Sequence, residues 1–191
     1  RLISAGGSEN IEDALNQALA DNDSIGGVIE CIVKNPPLAL GEPFFFSFES
    51  VISHLLFSIP AIKGVEFGSG FESASMRGSR HNDPFIGTNG RTATNNAGGI
   101  NGGITNGNDI IFRVVVKPTS SMGVEQSTLN FSTGKMEKLL VKGRHDSCIA
   151  LRMPVIVESV ASITIADLLL IDRGIYGIRD NNYPGILHPD K

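Results

Sequence analysis

The sequence predicts an α+β domain. Three observations carry that expectation. Three segments place apolar residues at helical spacing, and several short runs are rich in Val and Ile. The 191 residues are 41% hydrophobic and 19% charged, the balance of a globular protein with one sizeable core.

The elements follow in order. Residues 8–22 read as an amphipathic helix, with Ile11, Leu15, Ala18 and Leu19 on one face. Glu9, Glu12 and Asp13 suit its N-terminal end, and Ser8 is a fitting cap. Residues 25–34 form a strand ended by Pro36 and Pro37. A second helix spans 48–58 with Val51, Ile52, Leu55 and Leu56 apolar, and Pro60 stops it. Residues 62–67 and 110–117 read as strands, and 139–141 as a further short one. Between them, 68–107 is dense in turn residues and has little periodicity.

Pro154 opens a helix that runs to about residue 170. That helix is apolar on nearly all sides, which predicts burial inside a layered fold or at a subunit interface. Glu158 and Asp167 interrupt it and disfavour a membrane span. From about 174 to 191 the chain reads as an irregular tail carrying Pro184 and Pro189. The chain opens on Arg1 rather than Met and shows no signal-peptide pattern, so a portion of a longer protein is expected.

Composition excludes several function classes. A formal net charge of −4 argues against a general nucleic-acid binder. Two cysteines, Cys31 and Cys148, are too few for a disulfide scaffold and point to reduced thiols in the cytoplasm. No tryptophan and 6% aromatics leave little for stacking platforms.

Ligand chemistry is concentrated in a few places. Eleven of the 22 glycines fall between Gly64 and Gly107. Such a run serves either a long surface loop or close approach of backbone to a ligand. On an otherwise acidic chain, Lys135, Lys138, Lys142, Arg144 and Arg152 cluster, with Arg113 and Lys117 just upstream. A local anionic ligand or a solvated strand face would account for them. Nucleotide motifs fail: Gly68-Ser69-Gly70 lacks the third glycine of a dinucleotide fingerprint, and Gly134-Lys135 is followed by Met136. His54, His81, His145 and His188 are scattered, so no metal site is expected. No G-x-S-x-G elbow is present.

Three stretches stand out. Residues 94–107 pair glycines four apart among asparagines and can present backbone N–H groups to a flat or anionic ligand. Lys117, Pro118, Thr119, Ser120 and Ser121 put a cation, a rigid turn and three hydroxyls at a strand end. That is either a phosphate or ring-edge corner or an ordinary hydroxyl-stabilised turn. Residues 143–148, Gly-Arg-His-Asp-Ser-Cys, set three ionisable side chains before an apolar helix, with Asp146 alternatively a simple cap.

Taken in order, the stretches 23–27, 40–43, 58–68, 77–83, 95–107, 117–121 and 144–148 resemble the C-terminal half of the chorismate synthase family. Its motifs D-S-I-G-G, G-x-G-E-P, S-I-x-A-x-K-G-V-E-x-G, R-G-S-x-x-N-D, N-N-A-G-G-I-x-G-G-I-x-N-G, K-P-T-S-S and R-H-D-P-C have their counterparts here in the same order. The resemblance covers about residues 20 to 173.

The resemblance implies a β-α-β sandwich of antiparallel sheets and helices, assembled as a cytoplasmic homotetramer with no role for nucleic acid or membrane. It implies a lyase of the shikimate pathway and aromatic amino acid biosynthesis. The enzyme converts 5-enolpyruvylshikimate 3-phosphate to chorismate and phosphate by 1,4-anti-elimination. It is a flavoprotein using reduced FMN, with NADP associated. FMN contacts carry over to Pro60, Ala61, Gly102, Lys117, Pro118, Thr119, Ser120, Ser121 and Arg144. Asp146 carries over as the carboxylate that helps to deprotonate the flavin at N5.

Departures are Pro60 for Asn, Ser147 for Pro, which would loosen its turn, and Arg80 for Glu or Gln. The family's paired histidines and substrate-gripping arginines lie in N-terminal motifs that this sequence lacks, so the chain alone is expected to be inactive. A glycine-rich loop over about 77–107, mobile from 77 to 96 without ligand, belongs to the same reading. The alternatives are a non-catalytic flavin- or phosphate-binding module and a purely structural domain.

Overall fold

The computed structural model describes residues 1–176. The chain divides into two compact units, and strands β1 (Leu2–Ala5), β2 (Gly27–Val33), β6 (Ile110–Val116) and β3 (Ile62–Phe67) hydrogen-bond in that order into one sheet.

The first unit comprises Arg1–Ile29, Ala61–Gly64 and Val114–Pro154. β1 pairs antiparallel with β2, Ala5 opposite Gly27 and Leu2 opposite Ile29. This four-residue strand carried no sequence signal, because Leu-Ile-Ser-Ala is too short to show a period. Helix α1 (Ile11–Ala20) starts later than its pattern indicated. Its cap is Asn10, whose side chain accepts from the Asp13 amide, while Ser8 instead accepts from the Asn10 amide at 3.1 Å. Ala18 is buried, but Leu19 is 59% exposed. Close packing explains Gly27, where a Cβ would stand 2.9 Å from both the Ala150 Cβ and Leu2 Cδ1.

A hairpin of β7 (Gln126–Asn130) and β8 (Lys135–Leu139) was only half legible. It pairs Leu129 with Met136 and turns at Gly134, whose φ of +66° favours glycine. Residues 139–141 lie at its end rather than forming a strand of their own. The polar Gln-Ser-Thr-Leu-Asn strand is exposed nearly throughout, so no apolar face marked it in the sequence.

The second unit comprises Glu30–Pro60, Val65–Arg113 and the chain from Val155. Helix α2 (Phe48–Phe57) is capped by Ser47, whose hydroxyl accepts from the Ser50 amide at 3.1 Å. Phe48, Ile52 and Leu56 recur at four-residue spacing and are buried. Inside the sheet, Arg113 ion-pairs with Glu30 at 3.6 Å and also with Glu66. The rings of Phe67 and Phe112 stand 6.1 Å apart.

The 68–107 stretch is not structureless. It holds a 3-10 helix, Gly70–Ser75, a short helix α3 (Gly78–His81), and a hairpin of β4 (Ile100–Asn101) and β5 (Ile104–Thr105). Its elements are too short for periodicity, and side-chain hydrogen bonds fix the rest. The segment expected to be mobile, 77–96, includes α3 and a bridge between Phe85 and Thr92.

Helix α4 (Met153–Tyr176) follows a 3-10 turn, Ile149–Arg152. Val157, Ala161, Thr164 and Leu168 form its buried stripe. The rest of its apolar surface is open within the chain, Val155 65% and Leu170 70% exposed, which leaves the second of the two expected settings, a subunit interface. The first residues of the expected tail, 174–176, continue α4, and the remainder of that expectation lies outside the described residues.

Candidate functional site

Within the first unit, three sequence-selected stretches are joined by hydrogen bonds. The Lys117 amide, just past β6, donates to the Ala61 carbonyl at 2.9 Å. Ala61 has φ +75°, uncommon for a residue with a Cβ, and turns the chain into β3. The turn at 117–121 is held from two sides: Ser24 Oγ donates to the Thr119 carbonyl at 2.7 Å, and Thr119 Oγ1 donates to the Asp146 carbonyl at 3.1 Å. The Thr119 bond fastens the turn to the 144–148 loop. That loop is also tied to Ile25, whose amide donates to the Ser147 carbonyl at 2.8 Å. That bond uses the backbone carbonyl at 147, which serine and proline offer alike.

Polar groups on this corner divide into those that build it and those left over. Thr119 builds it. Asp146 is oriented by Arg152, Nη2 to Oδ2 at 3.1 Å, and by the Cys148 amide, which donates to Oδ1 at 3.3 Å. His145 Nε2 lies 2.9 Å from the Val141 carbonyl, so that nitrogen carries the hydrogen. Among the described residues, the Lys117 ammonium, the Arg144 guanidinium and the hydroxyls of Ser120 and Ser121 have no hydrogen-bond or ion-pair partner. All four residues are exposed. A cavity of about 370 Å³, lined by Leu19, Asp23, Lys142, Gly143 and His145 among others, adjoins the loop. Burial pushes the Cys148 thiol above its usual range, so it is a packing residue rather than a nucleophile.

The other two expected contacts belong to the second unit. Pro60 is exposed after α2, where Ile59 N bonds back to Leu56 O, so its missing N–H costs no helix hydrogen bond. Gly102 and Gly103 form the two-residue tip of the β4–β5 hairpin with φ of +57° and +83°. A Cβ at Gly103 would come to 2.5 Å of the Ser47 Cβ, while one at Gly102 would meet nothing within 4 Å. Thus Gly103 is needed by the fold, and Gly102 faces open space.

Ser24 and Arg152 hold the corner, roles the sequence did not show: Arg152 stood only as one cation of a cluster and Ser24 only within the 23–27 motif. Ser24 is 95 residues from Thr119, and no local pattern announces such a bond. No cluster of three or more His, Cys, Asp or Glu that could hold a metal occurs among the described residues.

Comparison with known proteins agrees with this architecture. A family model described as chorismate synthase matches residues 1–170. The chorismate synthase of Chitinophaga pinensis is 55% identical over 172 residues, covering 90% of this chain and 52% of the relative. That of Archaeoglobus fulgidus is 46% identical over 154 residues, covering 80% and 43%. A crystal structure of chorismate synthase superposes with a TM-score of 0.67 at 30% identity, covering 87% of this chain and 44% of that one.

The chain spans about half the length of the curated relatives it matches. By length and hydropathy the segment Ile149–Gly174 could cross a membrane, but the family match runs through it to residue 170, so its apolar character is that of a family element. With sequence, fold and motif order in agreement, the chain belongs to the chorismate synthase family.

Proposed function

We propose that this chain supplies the flavin-holding part of a cytoplasmic, homotetrameric lyase of aromatic amino acid biosynthesis. The reaction is the 1,4-anti-elimination that takes 5-enolpyruvylshikimate 3-phosphate to chorismate and phosphate. One observation carries the reading: among the described residues, Lys117, Arg144, Ser120 and Ser121 stand without side-chain partners on a corner that other residues build. Exposed cations alone would be ordinary. Two cations and two hydroxyls on a hydrogen-bonded turn and loop make a donor set suited to an anionic, ring-bearing cofactor.

The residues fit reduced FMN. Lys117 and Arg144 would answer its phosphate or ring-edge oxygens, Ser120 and Ser121 would donate to its acceptors, and Ala61 and Pro118 would offer backbone and apolar surface; Pro60 and Gly102, in the second unit, are carried over from the family resemblance alone. Thr119 holds the turn. Held by these residues, reduced FMN would supply electron density to the elimination. Asp146, oriented by Arg152 and the Cys148 amide, is the proton-accepting carboxylate toward the flavin N5. The free thiols Cys31 and Cys148 suit the cytoplasm, and the exposed apolar side of α4 suits a further protein surface.

Anaerobic titration of the chain with reduced FMN, followed by flavin absorbance, tests the reading. Weak binding is expected, lowered roughly 10-fold or more by Lys117→Ala and by Arg144→Ala, as charge-assisted hydrogen bonds contribute about 1.5–3 kcal/mol. Affinity unchanged by both substitutions, or no binding at all, overturns it.

A further inference from the structure

The 77–83 motif and the asparagines at 95 and 96 are not used by the flavin corner, yet the structure ties them together within the second unit. Asp83 Oδ1 accepts from the Asn96 amide at 2.8 Å and from Thr94 Oγ1 at 2.7 Å, and Oδ2 accepts from the Ala97 amide at 2.9 Å. Asn96 reciprocates: its Nδ2 donates to the His81 carbonyl at 3.1 Å, and its Oδ1 accepts from Ser69 Oγ at 2.9 Å. Asn95 spans the other side of the turn. Its Nδ2 donates to the Asp109 carbonyl at 2.7 Å, and its Oδ1 accepts from the Gly99 amide at 2.8 Å.

Bonds to an ionised acceptor are the stronger kind. Burial works to raise the Asp83 pKa, but the bonds from Ala97, Thr94 and Asn96, with His81 nearby, outweigh it and hold the carboxyl below its usual range. From this clasp the chain turns through Gly98 and Gly99, both at positive φ, enters β4 and reaches Gly102 three residues later. A shift of the 94–99 backbone is passed along that short path to the hairpin tip.

We propose that Asp83 is a positioning residue whose carboxylate, with the side chains of Asn95 and Asn96, sets the path of the 94–99 backbone and so the place of Gly102. The last step rests on the flavin reading above, and the clasp itself does not. Asp83 touches no ligand in this scheme. It acts through two backbone amides.

Asp83→Asn in the 191-residue chain is the test, read by amide hydrogen exchange at Asn96 and Ala97, with the β6 amides other than that of Ile111, which itself donates to the Gly98 carbonyl at 3.2 Å, as internal control. The side-chain amide keeps the shape but can present one N–H where an acceptor oxygen stood. Protection at one or both target amides should fall at least about 10-fold while β6 is unchanged. Asp83→Glu, which retains both acceptor oxygens, should recover part of it.

Affinity for reduced FMN should fall several-fold in the Asn variant and recover in the same order. Unchanged protection at both amides overturns the proposal. Equal loss in β6 overturns it too, since Asp83 would then serve global stability. Local loss with unaltered flavin affinity overturns the link to Gly102. The exchange effect in the Asn variant, together with a wild-type chain that binds no FMN, refutes the flavin reading and leaves the clasp standing.

Discussion

Replacing Gly68 by Ala is expected to destabilise the chain by about 3–5 kcal/mol, at the severe end for a single methyl group. Two costs add. Gly68 has φ +55°, where an L side chain is disfavoured by about 1–2 kcal/mol. The new Cβ would also lie inside contact distance of the Asn96 carbonyl oxygen and 2.5 Å from the Gly98 amide nitrogen.

Both obstacles are backbone, so no rotamer change relieves them. Nor can the backbone retreat freely, since the Gly68 amide donates to Ile111 O at 2.9 Å and the Ser69 amide to Asn96 O at 2.9 Å. The thermal midpoint should fall by roughly 10 °C. A drop of only a degree or two would mean that the 94–99 turn yields, and would weaken the case for a rigid path to Gly102.

Turnover is the second large effect. The chain incubated anaerobically with reduced FMN and 5-enolpyruvylshikimate 3-phosphate is expected to produce no chorismate above background. The substrate carries a phosphate and two carboxylates, and the departing phosphate gains charge that cations must stabilise. Several cations here already have partners: Lys34 with Asp109 at 2.6 Å, Lys138 with Glu125 at 3.1 Å, Arg152 with Asp146, and Arg113 with two glutamates.

Lys117 and Arg144 are assigned to the flavin. By the family resemblance, the arginines and paired histidines that would grip the substrate belong to motifs of the other half, and this chain spans about half the length of its curated relatives. Chorismate absorbance at a rate near that of a full-length relative would show that Asp146 and the remaining cations suffice, and would displace the assignment of Lys117 and Arg144. Flavin binding without turnover, even in the presence of a complementary N-terminal half, would favour the non-catalytic binding module.

Legibility in the sequence followed the length scale of the interactions. α2, β3 and β6 could be bounded to within a residue or so, because Phe48, Ile52 and Leu56, or Ile110, Phe112, Val114 and Val116, repeat the period of their own element against one core. β1 and β7 could not, being too short or too polar to show a period. The motif order announced the family, but the Asp83 clasp and the Ser24–Thr119 bond join residues far apart in the chain and leave no local trace. For α4, composition alone did not say which side meets the chain's own core. An apolar residue on its outer side reads the same as one on its inner side until the neighbours are known.

The glycine pair at the tip of the β4–β5 hairpin implies unequal freedom to change. At position 102 the demand is only on backbone handedness, so asparagine, aspartate or a D-residue satisfies it, and each would project new atoms into the open space there. At position 103 the demand is on volume, because Ser47 begins α2 directly opposite. Chemical diversity can therefore enter this tip through one residue alone. A D-alanine or an asparagine at 102 becomes a probe arm of known direction, able to report by its own crowding what occupies the space in front of it.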